Sequence, residues 1–310
     1  MVFGTQLTGE TILKKMNITL SAFAMASAIT SAHATNTYAA TKYPIVLAHG
    51  WMALQFNGIA ESLQSDGAKV FITQVSAQNS VEVRGEQLVK QIRTILAVTG
   101  AQKVNLIAHS QGSQDSRYVA SVQPFNVASI TSVSGMVKGS AAADALAKTD
   151  GTPTGDKLAS FFEALGKLSA YGQGDSSLPQ SAAGALYTQT TAGATAFNQR
   201  HPAGVPTTPC GQGDPVVDGI RYYSWTGNAK LTNVFDPSDY LLTVTGALYG
   251  STSNDGLAGA CNSHFGLVIR DNYPLNHLDE INQLFGLGNL FLDVKSLYRQ
   301  QANRLKLAGL

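Results

Sequence analysis

An α/β class with a mostly parallel central sheet is predicted by three features of this 310-residue chain. Short, continuous apolar runs are bounded by turn residues. Amphipathic helical stretches alternate with them. A serine stands at the junction between the third run and the helix that follows it. Continuous rather than alternating apolar runs mark strands covered on both faces, which is the habit of parallel sheets. Strand–helix alternation is how such sheets are connected.

Each element follows in turn. Tyr43–Ala48 (YPIVLA) reads as the first buried strand, and Lys69–Val75 (KVFITQV) as the second, with a short helix at Gly58–Leu63 between them. Ser80–Val98 carries Val81, Leu88, Ile92, Ile95 and Leu96 at helical spacing and stops near Gly100. Val104–Ala108 is the third strand, Gly112–Val122 a helix, and Val127–Ser134 the fourth strand. From about 139 to 209 Gly, Ser, Thr and Ala dominate and strand patterns vanish. This segment reads as a helical cap inserted above the sheet, with Leu158, Phe161, Phe162, Leu165 and Leu168 on one helical face. Ile220–Trp225 returns to strand. His264–Ile269 fits a strand or a buried helical turn equally well. Asn276–Phe285 and Val294–Leu307 read as helices.

The first 34 residues read as a secretory leader. Lys14 and Lys15 precede an apolar stretch from Ile18 to about Ala28, and Ala32-His33-Ala34 offers a cleavage site. Met16 is an alternative start. Residues 35–310 then form a single domain. Setting aside Glu10, Lys14 and Lys15 with the leader leaves the remainder formally neutral. No basic stripe supports a nucleic-acid partner, and no later segment is apolar enough to span a bilayer. Cys210 and Cys261, the chain's two cysteines, fall in the exported part, where an oxidising compartment favours a disulfide.

The junction serine is Ser110, in Ala108-His109-Ser110-Gln111-Gly112. A serine between strand and helix, with small residues two before and two after, is a nucleophile elbow. Its strained turn lifts the hydroxyl clear of the sheet, and the small neighbours let strand and helix backbones pass closely. Acyl transfer also needs donors for an oxyanion. The backbone N–H of Gln111 is one candidate. The N–H of Trp51, in the His49-Gly50-Trp51 loop after the first strand, is the other. Serine needs a base held by a carboxylate, in the chain order Ser, acid, His. His201, His264 and His277 lie downstream; His277 stands where the base of this order falls, near the C-terminus. Asp255, in an Asn-Asp-Gly turn, is free to reach an imidazole, with Asp236, Asp239 and Asp271 as rivals.

The chain resembles the bacterial triacylglycerol lipases of the Pseudomonas and Burkholderia type. The likeness runs through Tyr43–Gly50, Val83–Gln87 (VRGEQ), Val104–Ser110, Tyr222–Trp225, Leu231–Asp239 (LTNVFDPSD) and Asn254–Gly256. It is densest in Val268–Gly286 (VIRDNYPLNHLDEINQLFG). The resemblance implies an α/β-hydrolase fold, a triad of Ser110, Asp255 and His277, and a Cys210–Cys261 disulfide. It further implies one structural Ca²⁺ held by Asp236, Asp279, Gln283 and the carbonyl of Leu287. It also implies a secreted enzyme that acts on acylglycerols at an oil–water interface and folds with a dedicated membrane-anchored foldase. Ala108, Gln111 and Ser113 stand where many members have Gly, His and Gly, and Met136-Val137 replaces a Pro-His pair. An esterase for short soluble esters is the alternative reading on the same chemistry. The apolar helical face at 158–168, read as a lid over the cleft, separates the two.

Overall fold

The computed structural model describes residues 36–149, 177–283 and 286–310. The leader and the apolar face at 158–168 lie outside the described residues. The sheet runs in the order β2 (Val70–Thr73), β1 (Ile45–Ala48), β3 (Val104–His109), β4 (Val127–Val133) and β6 (Ile220–Gly227). The short β5 (Val216–Val217) pairs antiparallel with β6, and β7 (Leu267–Tyr273) pairs parallel with it. The remaining pairings are all parallel.

The alternation along each strand divides the core. Ile45 and Leu47 face one layer, with Ile107, Val133, Trp225 and Tyr298; Val46 and Ala48 face the other, with Leu88, Ile92, Leu106 and Ile130. Helices cover both faces: α1 (Ile59–Ser65), α2 (Val81–Thr99), α3 (Gln111–Val122), α4 (Ala141–Thr149), α5 (Ala182–Gln189), α6 (Thr191–Arg200), α7 (Pro237–Gly246) and α8 (Val294–Leu307). The boundaries of α2 follow from its caps. The Ser80 hydroxyl accepts from the Val83 N–H, and Gly100 closes the helix at φ 67°. No helix among the described residues is long and apolar enough to cross a membrane.

The described part of the cap is helical, as α4, α5 and α6. Of the stretch from His264 to Ile269, His264–Gly266 form a loop and Leu267–Ile269 open the strand β7. One expectation needs correction. Over its described residues, 276–283, the stretch read as a helix from Asn276 to Phe285 is a single 3-10 turn, Asp279–Ile281. Asn276 Oδ1 accepts from the Leu278 and Asp279 N–H groups, and Asp279 Oδ2 accepts back from the Asn276 N–H. This is a helix start with reciprocal caps. Asn282 then turns left-handed at φ 60°, the Gln283 N–H reaches back to the Leu278 carbonyl, and the turn ends at once. A helix that the apolar spacing does not reveal, α7, opens at Asp236. The Asp236 side chain accepts from the Ser238 N–H and Pro237 occupies the first helical position. Cys210 and Cys261 are disulfide-bonded and tie the loop before β5 to the loop before β7.

Candidate active site

The carboxyl ends of β1, β3 and β4 meet at Ser110. It sits between β3 and α3 at φ 54°, ψ −128°, a conformation strongly disfavoured for a residue with a Cβ. Its N–H donates to the Val133 carbonyl at 2.9 Å, which anchors the strained turn to β4. Two glycines make the turn possible. A Cβ on Gly112 would stand 2.4 Å from the Ala48 carbonyl oxygen, and one on Gly50 would stand 2.7 Å from the Ser110 Cβ. Ala108 pairs in register with Ala48 and Ser132 inside the sheet, so the larger side chain at this elbow position is accommodated.

His277 and Asp255 come together across 22 residues of sequence: His277 Nδ1 and Asp255 Oδ2 are 2.8 Å apart, both buried. The other oxygen of Asp255 accepts from the N–H groups of Leu257 (2.9 Å) and Ala258 (2.6 Å), and the Asp255 carbonyl accepts from the His277 N–H. The Asn-Asp-Gly turn is shaped for this. Asn254 Oδ1 accepts from the Gly256 N–H, and Gly256 takes φ 103° against Leu242. Ser110 and His277 line one cleft, whose walls include Met52, Leu54, Met136, Leu186 and Leu257. Of the rival residues, His264 is committed elsewhere, to Asp271 at 3.1 Å and the Gly211 carbonyl at 3.0 Å. Asp239 accepts from the Asn233 N–H (2.7 Å) and the Asn276 side chain (2.6 Å).

The loop carrying Trp51 is held from below. Arg84, fully buried, donates to the carbonyls of His49 (2.8 Å), Gly50 (3.2 Å) and Ser76, and pairs with Asp115 at 2.8 Å. The Met52 N–H is taken by the Ala77 carbonyl, and Met52 and Ala53 adopt φ 66° and 55°. The Gln111 side chain donates to the Asn79 carbonyl, and its backbone N–H heads α3 beside Ser110.

Two residues that sequence reasoning passed over, His109 and Glu280, bring a ligating atom within 4.8 Å of His277 and of each other. The His109 ring lies 4.5 Å from the His277 ring and its Nε2–H donates to the His277 carbonyl at 2.9 Å. Burial, then the nearby His277, holds its pKa well below the ordinary value, so it is neutral. Glu280 is buried 3.9 Å from His109 Nε2. Burial first, and Asp255 second, raises its pKa well above the carboxylate range. Glu280 lies three residues beyond His277, a spacing that becomes a signal only once the single turn at Asp279–Ile281 is known.

A second cluster stands behind His277. One carboxylate oxygen each from Asp236, Asp239 and Asp279 lies within 4.8 Å of the others, all buried. Burial foremost, with Asp239 and Asp236 adding repulsion, pushes the Asp279 pKa up to about 7, and its Oδ1 has no hydrogen-bond partner. Gln283 does not join through its side chain: with no helix to align it with Asp279, its amide donates to the Gln55 carbonyl at 2.8 Å. Leu287 precedes Gly288, whose backbone passes so close that a Cβ there would stand 2.9 Å from Asp279 Oδ1. Asp239 is the member that the sequence reading left out.

The α/β hydrolase fold family matches residues 43–281. A triacylglycerol lipase of Vibrio cholerae is 48% identical over 91% of this chain and 94% of its own length. The triacylglycerol lipase of Pseudomonas fragi is 40% identical over 87% and 98%. That of Burkholderia plantarii is 39% identical over 90% of each. Among solved structures, the mature Bacillus licheniformis lipase superposes with a TM-score of 0.56 at 19% identity, over 76% of this chain and 85% of that one, a likeness of fold.

Proposed function

This chain belongs to the bacterial triacylglycerol lipases of the α/β-hydrolase fold, and on that premise we propose that Ser110, His277 and Asp255 hydrolyse acylglycerol esters in the apolar cleft. The observation that carries this reading is the His277–Asp255 pair facing the same cleft as a serine held on a strained elbow. With Nδ1–H donated to Asp255, the imidazole keeps Nε2 as its acceptor. His277 takes the Ser110 proton as the hydroxyl oxygen attacks the acyl carbonyl. The oxyanion is received by the N–H groups of Gln111 and Trp51. Collapse breaks the ester bond, and the alcohol leaves with the proton from His277. Water, activated by the same imidazole, then attacks the acyl-Ser110 carbonyl, freeing the carboxylic acid and restoring the hydroxyl.

A phosphonate ester should label Ser110 stoichiometrically. Ser110→Ala and His277→Ala should each remove nearly all turnover, since triad members act as a unit. His264→Ala should cost far less. Labelling at another serine, or the reverse order of the two histidine variants, would sink the assignment. The apolar walls support a long-chain acylglycerol over a small soluble ester. Rates on emulsified long-chain triacylglycerol against soluble tributyrin decide this, and a preference for the soluble ester would favour the esterase reading.

The cluster of Asp236, Asp239 and Asp279 suits a hard cation. Oxygen donors alone are gathered there, like charges are buried together, and an oxygen of Asp279 is left without a partner. Asp236 and Asp279 would hold a Ca²⁺ with the carbonyls of Gln283 and Leu287, and Asp239 would brace them. Calcium would supply charge neutralisation behind the base rather than contact with substrate. Asp279 then ties α7 to the turn that carries His277. Chelation should lower the melting temperature and slowly cost activity, with recovery on adding Ca²⁺. A calcium-free protein that keeps both has no such site. Export through the leader at 1–34 and folding by a membrane-anchored foldase complete the reading. Full activity of residues 35–310 refolded alone would dismiss the foldase.

A further inference from the structure

Two loops at the carboxyl end of the sheet carry the same five-residue pattern, Leu-x-Asn-aliphatic-Phe. Leu231–Phe235 (LTNVF) follows β6, and Leu287–Phe291 (LGNLF) lies between β7 and α8. Both fold in the same way. Asn233 Oδ1 accepts from the Phe235 N–H at 3.1 Å, and Asn289 Oδ1 accepts from the Phe291 N–H at 2.8 Å. This Asn turn sets the aliphatic residue and the Phe at the tip of each loop. Val234 and Phe235 are 61% and 81% exposed, Leu290 and Phe291 78% and 96%. Asn233 Nδ2 donates to the Gly288 carbonyl at 3.4 Å, so the two loops are neighbours. Asn289 Nδ2 fastens the second loop to the Pro274 carbonyl at 2.8 Å. Neither run contains a charged residue, and the carboxylates beneath them, Asp236 and Asp279, are buried.

The exposed apolar surface continues from the tips to the cleft. The Tyr240 hydroxyl donates to the Val234 carbonyl at 3.1 Å. Val244 and Leu248 follow Tyr240 at four-residue steps along α7 and the turn after it, and all three are exposed. Tyr249, the next residue, hydrogen-bonds through its hydroxyl to Ser140 Oγ at 3.0 Å, and Ser140 lines the cleft.

We propose that the twin tips anchor the protein in a neutral lipid surface, through Phe235 and Phe291 and without help from the cap. The proposal rests on the acylglycerol reading of the cleft. Exposed apolar surface of this extent marks a binding face. Two protruding rings offer a rigid protein only two points of contact, and each would need a matching pocket. Liquid hydrocarbon closes around a ring without one. The absence of charge favours an uncharged oil over anionic headgroups, and the continuity along α7 brings the anchored surface to the cleft wall.

Flotation of the protein with droplets of a trialkylglycerol ether, an oil without ester bonds, tests the anchor apart from hydrolysis. Phe235→Ser and Phe291→Ser should each weaken partitioning about tenfold, and about a hundredfold together. Both rings lie outside the apolar core, and the Asn turns use only backbone N–H groups there, so the fold should survive. Turnover of dissolved tributyrin should stay near that of the parent in both variants. High salt should leave partitioning in place, as screening leaves an uncharged contact untouched. Phe291→Trp should still float, and its added indole emission should move to the blue on the droplets. Absence of tributyrin turnover in the parent would fault the reading of the cleft, whereas flotation reads the tips alone. Unchanged flotation of the double Ser variant, or no blue shift of the added indole, would overturn the anchor. If that variant floats as the parent does but loses a dimer seen by sedimentation, the tips are a contact between copies instead.

Discussion

Two arginines, one on α2 and one on α3, are buried almost equally and treated in opposite ways. Arg84 is fully enclosed, with Asp115 at 2.8 Å and the carbonyls of His49, Gly50 and Ser76 filling its donors. Arg117, two residues after Asp115, is 3% exposed and has only Asn198 and one carbonyl. The first lies under the loop that flanks Ser110; the second lies under a cavity. Burial of a charge is tolerated where partners neutralise it, and a half-partnered charge keeps an uncompensated desolvation cost. The acidic cluster of Asp236, Asp239 and Asp279 follows the second pattern with the sign reversed.

The largest effect should come from breaking the complete set. Arg84→Met strands Asp115 without its counter-charge, burial already having brought that carboxyl up to about 6 even with Arg84 present. Removing one partner of a buried pair costs about 3–5 kcal/mol, to be read from urea unfolding. The same change frees the His49 and Gly50 carbonyls, so the Trp51 loop loses its support. Arg84→Lys keeps a charge but not the fork, and should fold. Its kcat on a soluble ester should drop by about 10²-fold, the scale of one lost oxyanion donor, with KM little changed. A Lys variant with normal kcat would make Arg84 purely structural.

His49 gives the next effect. Its Nδ1–H donates to the Gly50 carbonyl at 2.8 Å and its Nε2 accepts from the Val75 N–H at 3.1 Å, a pattern open only to neutral imidazole. Burial first, and Arg84 second, lowers its pKa from 6.5 to about 3. The unfolded chain takes up this proton below pH 6.5, while the native one resists until about pH 3. The contribution is therefore fully present above pH 6.5 and is lost as pH falls through that window, on the order of 5 kcal/mol in all. His49→Gln should flatten the slope of unfolding free energy against pH between 4 and 6.5. An unchanged slope would assign the acid sensitivity to other groups.

What the sequence made legible was local. The strand β1 could be read because burial on both faces writes it as an unbroken apolar run, β3 and β4 because they are short, mostly apolar or small runs bounded by turn residues, and the elbow because Ala108 to Gly112 carries its whole pattern in five residues. Long-range pairing was not written there. Chain order favoured His277 and the Asn-Asp-Gly turn favoured Asp255, but two further histidines and three further aspartates stayed open until family likeness selected the pair, and the structure puts them 2.8 Å apart. The helix over-read at Asn276–Phe285 has a genuine capped start, and it ends because Asn282 takes a left-handed turn. The missed α7 ends in Thr, Val, Thr and Gly, poor helix formers, yet its Asp236-Pro237 start was a readable signal. Arg84 and Arg117 look alike as residues; their difference lies in carbonyls and carboxylates from other elements.

The smallest effect should separate the two arginines most cleanly. Arg117→Met removes a buried cation that has no carboxylate, and offers Phe197 and Phe265 an apolar neighbour of similar length. The loss is the clamp on Asn198 and the His201 carbonyl, worth about 1 kcal/mol per hydrogen bond. The gain is relief from desolvating an incompletely paired ion, which costs several kcal/mol when nothing compensates it. These oppose each other, so the net change in unfolding free energy should fall within about 1 kcal/mol of zero, and turnover on a soluble ester should stay near that of the parent. The contrast with Arg84→Met is one of mechanism rather than size alone: one variant strands a counter-charge and the other strands none. Denaturant unfolding of both variants under one set of conditions reads it directly. If Arg117→Met costs as much as Arg84→Met, then Arg117 is a structural clamp of the same kind, and the two arginines do not differ as their partners indicate.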